Sequence, residues 1–195
     1  MSAETLTSAS GGGESFAALF EASVAAADEL RDRTGASRVS LVGLRLGAVH
    51  AWRASRARRD VDKLVLWEPV VHGGAYLADL QRRHEDFLHE ELPNRRRPPS
   101  KAEALGFPLV PALRAELMGL DLAAEADPAA RAIHALIAHE TDDERRLARR
   151  LEERAPRSTY ANLSLARDWN SEEAVNSSLV PAAALEAIVA SMEAR

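Results

Sequence analysis

The chain has 195 residues, 46% hydrophobic and 28% charged, with a formal net charge of -5; this is the balance of a folded globular chain, and its sign argues against a nucleic-acid partner. Cysteine is absent, which excludes disulfides, thiol nucleophiles, thiolate zinc sites and iron–sulfur clusters. No apolar run approaches the ~20 residues of a membrane-spanning helix, and Met1–Ser15 lacks the basic and apolar regions of a secretory signal, so a cytoplasmic protein with no membrane partner is expected.

Residues 1–14, rich in Ser, Thr, Ala and Gly, read as a flexible tail. Ser15 then caps a predicted helix with Phe16, Leu19, Phe20, Val24, Ala27 and Leu30 at helical spacing, and Gly35 stands where a C-terminal cap belongs. Val39-Ser40-Leu41-Val42, closed by Gly43, reads as a buried strand, and Gly47 to about Arg59 as a helix. Lys63–Trp67, ended by Glu68-Pro69, is a second strand and Ala132–Ala138 a third. Thr141-Asp142-Asp143-Glu144 is a capping box that opens a helix over 142–153. Ser158–Leu165 gives a fourth strand, and Ala182–Glu193 a last helix with Leu185, Ile188, Val189 and Met192 on one face.

Strands alternating with helices at this interval predict an α/β fold with a parallel sheet. The stretch from Val70 to Glu125 breaks the rhythm. It holds a helix over 75–91, an Arg95-Arg96-Arg97 loop between prolines, Gly106-Phe107-Pro108 and a helix over 111–118. A segment this long between two strands reads as a helical cap insertion, about 70–125, within a single domain over 15–195.

Gly43-Leu44-Arg45-Leu46-Gly47 sits where strand gives way to helix. This is the layout of a nucleophile elbow, G-x-S-x-G, with arginine at the centre. Together with Leu64–Gly73, Gly106–Leu109 and Val180–Leu185, the segment resembles the α/β-hydrolase superfamily, in its serine-aminopeptidase-like branch that includes the exosortase-A-system-associated hydrolases. The resemblance implies the C-terminal half of that fold: about four parallel strands, flanking helices and a cap. Such hydrolases open with further strands and an oxyanion-hole loop, for which no counterpart precedes the elbow here.

The resemblance also implies a triad in the order Ser, acid, His. Glu140, Asp142 and Asp143 stand at the acid's place, but Arg45 replaces the nucleophile, and Asp168-Trp169 follows the last strand with no His beyond His139. Guanidinium stays protonated near neutral pH and serves as neither nucleophile nor base. The expectation is a non-catalytic hydrolase-like protein, without a cofactor, that binds a small anionic ligand or a partner chain. The alternative is an acyl or ester hydrolase active only when a separate N-terminal half complements it.

The candidate ligand residues are Arg45 and Leu46 at a helix N-terminus, which favours anions, with Glu68, His72, Asp143 and Asp168 at strand carboxyl ends. The plainer reading has Arg45 in a salt bridge with Glu68, Glu140, Asp143 or Asp168. Acids in a first helical turn have their own structural reason in the helix dipole. His84 and His89 are five apart, which misses the H-E-x-x-H zinc spacing and leaves surface histidines on the cap. His134 reads as a packed core residue. The Val39–Val42 edge lacks the lysines and prolines that blunt an exposed strand, so a homo-oligomer, or a complementary chain carrying further strands, is expected.

Overall fold

A computed structural model describes residues 16–92, 100, 102–154, 157–163 and 182–193. It is an α/β structure with a four-stranded parallel sheet and, among these residues, six helices. In chain order the elements are α1 (Phe16–Thr34), β1 (Val39–Leu44), α2 (Leu46–Ala57), β2 (Val61–Trp67), α3 (Gly73–Glu91), β3 (Glu103–Ala104), β4 (Phe107–Pro108), α4 (Pro111–Met118), β5 (Ala132–Ile137), α5 (Asp142–Glu152), β6 (Ser158–Asn162) and α6 (Ala182–Glu193). No helix among the described residues is long and apolar enough to cross a membrane.

The chain divides into two compact units. Residues 19–72 and 120–195 form the sheet unit, whose strand order is β1-β2-β5-β6. In register, Leu41 faces Leu64, Leu64 faces Ile133, and Ile133 faces Ser158. Parallel strands are buried on both faces, which is why β2 and β5 are apolar runs. On one face α2 and α5 bring Ala48, Trp52, Leu147 and Leu151 against Leu64, Leu66, Ile133 and Ala135. On the other, α6 packs over β2 and β5 and covers Val65, Trp67 and Leu136.

Local chemistry sets the helix ends. Gly35 has φ +66 and donates to the Arg31 carbonyl at 2.8 Å, the left-handed cap that ends α1. Thr141 and Glu144 form the reciprocal capping box of α5. The segment entering β5 is strapped down by arginines and one indole: Arg150 and Arg154 hold Asp127, Arg53 holds Glu125, and the Trp52 Nε1–H donates to the Ala126 carbonyl at 3.0 Å. The same strap carries Asp121, which pairs with Arg146 at 2.8 Å.

Residues 73–119, grouped with the chain start through Ala18, form the other unit. Here α3 packs on α4 and on β3, and β3 and β4 form a hairpin turning through Leu105 and Gly106, both at positive φ. Leu77, His84, Ala104, Leu109 and Leu117 are buried.

Several sequence expectations shift. β1 runs two residues further than predicted, to Leu44, and β2 begins two residues earlier, at Val61. His84 is buried rather than on the surface, because its Nδ1 accepts the Leu105 amide of the hairpin at 3.1 Å. On α6 the residue held tightest against the sheet is Ala184, with Ile188 and Met192 beside it, while Leu185 and Val189 are exposed. A helix this close over two strands fits a small residue at its point of nearest approach. His134 is buried, as expected of a packed core residue, and bonds Thr159 Oγ1 at 2.8 Å. Ser15, the Arg95–Arg97 loop, the end of the Ser158–Leu165 strand and Val180-Pro181 lie outside the described residues.

Candidate functional site

Arg45 follows β1 beside the carboxyl end of β2, and the carboxyl end of β5 meets Glu68. Arg45 sits between β1 and α2 at φ 54, ψ -121, a conformation that side-chain-bearing residues rarely adopt. The surrounding chain enforces it. The Arg45 amide donates to the Trp67 carbonyl at 3.0 Å, and its own carbonyl accepts the Ala48 amide at 3.1 Å. Gly43 permits the turn, since a Cβ there would lie 2.4 Å from the Ala48 Cα and 2.5 Å from the Gly47 oxygen. The result is a tight strand-to-helix turn with Arg45 at its apex; Gly47 is not required by it, since a Cβ there would meet nothing within 4 Å. As N-cap of α2, Arg45 makes no capping bond with its side chain. Leu46 opens α2, half-buried, and the first amides of a helix have no partners within it.

Glu68 is the neighbour that matters. It follows β2, is buried, and also has a positive φ of 47 although it precedes Pro69, a position that ordinarily holds extended backbone. Its amide donates to the Leu136 carbonyl at 2.9 Å, and its Oε1 accepts the Ala138 amide at the end of β5. Its Oε2 lies 3.9 Å from Arg45 Nη1, the outer limit of an ion pair. Burial pushes the Glu68 carboxyl above its usual range, against the opposing pull of the Ala138 amide and of the charges on Arg45 and His139.

The acids Glu140, Asp142 and Asp143 are taken up by arginines of α5. Arg145 pairs with Glu140 and Asp142, and Arg146 pairs with Asp143 at 3.3 Å. Tyr160 Oη donates to Glu140 Oε1 at 3.0 Å; burial raises the phenol's pKa, and this bond raises it further. A second group therefore forms beside the first. His72 bridges Asp121 through the backbone, Asp121 pairs with Arg146, and Arg146 with Asp143. Burial opposes ionisation of Asp121, but the Arg146 hydrogen bond and charge outweigh it and hold the carboxyl below its usual range.

Of the six candidate residues, Arg45, Leu46 and Glu68 form one cluster, and His72 and Asp143 belong to the group joined through Asp121 and Arg146. Asp168 lies outside the described residues. Sequence reasoning did not single out the Ala138 amide, Tyr160, Asp121 or Arg146. Arg146 follows Asp143 by three residues on a helix, a pairing interval that could have signalled it. Compared with known proteins, the chain matches no family model, and no curated protein matches it either.

Proposed function

We propose that this chain is a non-catalytic α/β-hydrolase-like protein that binds a small anion, carboxylate or phosphate, at Arg45. The observation that carries the reading is the elbow backbone. Arg45 is held at φ 54, ψ -121 in a turn that only Gly43 allows, and strain of this kind costs about 1–3 kcal/mol and clusters at functional sites. The side chain so presented is a permanent cation beside the first amides of α2, the combination that suits an anion. The ion pair with Glu68 is long at 3.9 Å, and burial pushes the Glu68 carboxyl above its usual range.

Catalysis by a serine mechanism is not part of this reading, because an arginine cannot be the nucleophile and the acids of the triad's place are engaged with Arg145 and Arg146. The second reading, a hydrolase completed by another polypeptide, draws on β1 being the end of the sheet order among the described residues.

Orthophosphate and acetate titrated into isotope-labelled protein test the proposal. The amide resonances of Leu46 and Gly47 should move saturably, and the Arg45→Ala variant should show no such movement. Unmoved resonances in the wild type would refute it.

A further inference from the structure

We infer that α6 is a cover that acid releases: protonation of His134, on the sheet beneath it, favours a state in which α6 has left while the strands stay paired. α6 runs antiparallel to the strands, since Ala184 near its start packs with Trp67 and Leu136, and its Met192 carbonyl accepts Lys63 Nζ near the start of β2. The strand from Lys63 to Trp67 and the helix from Ala184 to Met192 each span about 12–13 Å. The midpoint of α6, Ile188, therefore lies at the row in which Val65 faces His134 and His134 faces Thr159.

His134 is badly placed to carry charge. It is 8% exposed, its Nδ1 is engaged with Thr159 Oγ1 at 2.8 Å, and its Nε2 is buried with no hydrogen-bond partner among the described residues. A neutral imidazole tolerates this, because one ring nitrogen carries no proton. An imidazolium has a proton on both, and would leave a charged N–H buried without an acceptor.

The charged groups around the ring do not help it. Lys63 on β2 faces the same side of the sheet, and its charge opposes a second cation. α6 turns Ala184, Ala187, Ile188 and Met192 to the sheet, while its acids Glu186 and Glu193 are exposed. β6 offers the Thr159 hydroxyl, preceded by the exposed Arg157. Burial and Lys63 accordingly hold the imidazole below its ordinary 6.5.

The strain of protonation is relieved most readily at α6, which is held more lightly than α2 or α5. Ala184 is its one buried residue among those described, whereas α2 buries seven and α5 three. Elements with few buried contacts open locally, well below the cost of global unfolding. Opening α6 gives Nε2 to water and leaves the sheet's own hydrogen bonds in place. Because the open state binds the proton more readily, acid raises its population by up to tenfold per pH unit below 6.5, until the ring is protonated in the closed state too. Release uncovers Val65, Trp67 and Leu136.

Hydrogen exchange at single amides of the full chain tests this at about pH 7.5 and pH 5, read as protection factors so that the intrinsic pH dependence of exchange cancels. In wild type, protection at Ala187, Ile188 and Val189 should fall at least threefold at the lower pH, while Leu64–Leu66 and Ile133–Leu136 keep theirs. His134→Gln and His134→Phe cannot take up the proton. Whichever of them folds, by circular dichroism, should keep the same α6 protection at both pH values. The wild-type contrast between α6 and β5 decides the matter by itself if neither does. Unchanged α6 protection in wild type would overturn the proposal. So would equal losses in α6 and β5, which mean global unfolding, or the same α6 loss in a variant without the imidazole.

Discussion

Glu68 Oε2 stands 3.9 Å from Arg45 Nη1, and the two residues end adjacent parallel strands with positive φ at both. Neither is glycine, so each holds backbone strain of about 1–3 kcal/mol at the point where the sheet presents its carboxyl edge. The bonds that maintain them are backbone bonds to neighbouring strand ends, Arg45 to Trp67 and Glu68 to Leu136. The Glu68 side chain adds to them, its Oε1 accepting the Ala138 amide.

The strain is measurable by itself. Arg45→Ala and Arg45→Gly both remove the guanidinium, but only glycine accepts φ 54, ψ -121 without cost. In urea denaturation the glycine variant should be more stable than the alanine variant by about 1–2 kcal/mol. Gly43→Ala should lose about 3 kcal/mol, because its Cβ would meet the backbone of Ala48 at 2.4 Å. Equal stability of the two Arg45 variants would show the turn to be relaxed.

Glu68 makes stability depend on pH. Burial raises its folded pKa above the ordinary 4.5, so its contribution is full below that value and is lost as pH rises through the folded pKa. Glu68→Gln keeps an acceptor for the Ala138 amide and cannot ionise. Relative to wild type, this variant should gain stability as pH is raised above 4.5, until the folded pKa of Glu68 is passed. A difference that stays constant across that range would mean that Glu68 titrates as an exposed carboxylate does.

His134 works in the opposite direction. Burial and the charge of Lys63 lower its folded pKa below 6.5, so its contribution is present above 6.5 and is lost as pH falls through the folded value. Wild type should therefore weaken relative to His134→Gln between about pH 7 and 5, measured by denaturation midpoints. Parallel pH curves for the two proteins would contradict this.

Much of the architecture was legible because local signals and tertiary structure agreed. The bounds of α4 and α6 are those the sequence predicts, and the α5 capping box stands as Thr141 and Glu144 announce it. Features set by a partner distant in sequence were not. The burial of His84 depends on a hairpin whose strands are two residues long and whose turn puts Leu105, not glycine, at positive φ. The exposed stripe of α6 looked like core because Leu185 and Val189 are as apolar as Ile188. Only packing distance makes Ala184 the contact residue. The tight turn at Arg45 was visible in Gly43, the glycine whose Cβ would clash. The left-handed Glu68 was not, since Glu-Pro predicts extended backbone.

The chemistry of the elbow makes a further expectation plain. The isolated chain should neither react with a fluorophosphonate probe nor turn over short-chain aryl esters, and Arg45→Ser alone should not change that. Loss of triad members costs orders of magnitude in turnover, and one restored hydroxyl lacks a base. Labelling of Arg45→Ser at the level of a working serine hydrolase would show that a base is already in place.

Anion binding at Arg45 is tested most directly by calorimetric titration of phosphate and small carboxylates into wild type, Arg45→Ala and Glu68→Gln at constant pH. Wild type should bind at least one of these anions, Arg45→Ala should bind none, and Glu68→Gln should bind several-fold tighter because the carboxylate 3.9 Å from Arg45 is gone. Identical responses from wild type and Arg45→Ala to every anion would contradict the account and leave Arg45 as the structural partner of Glu68.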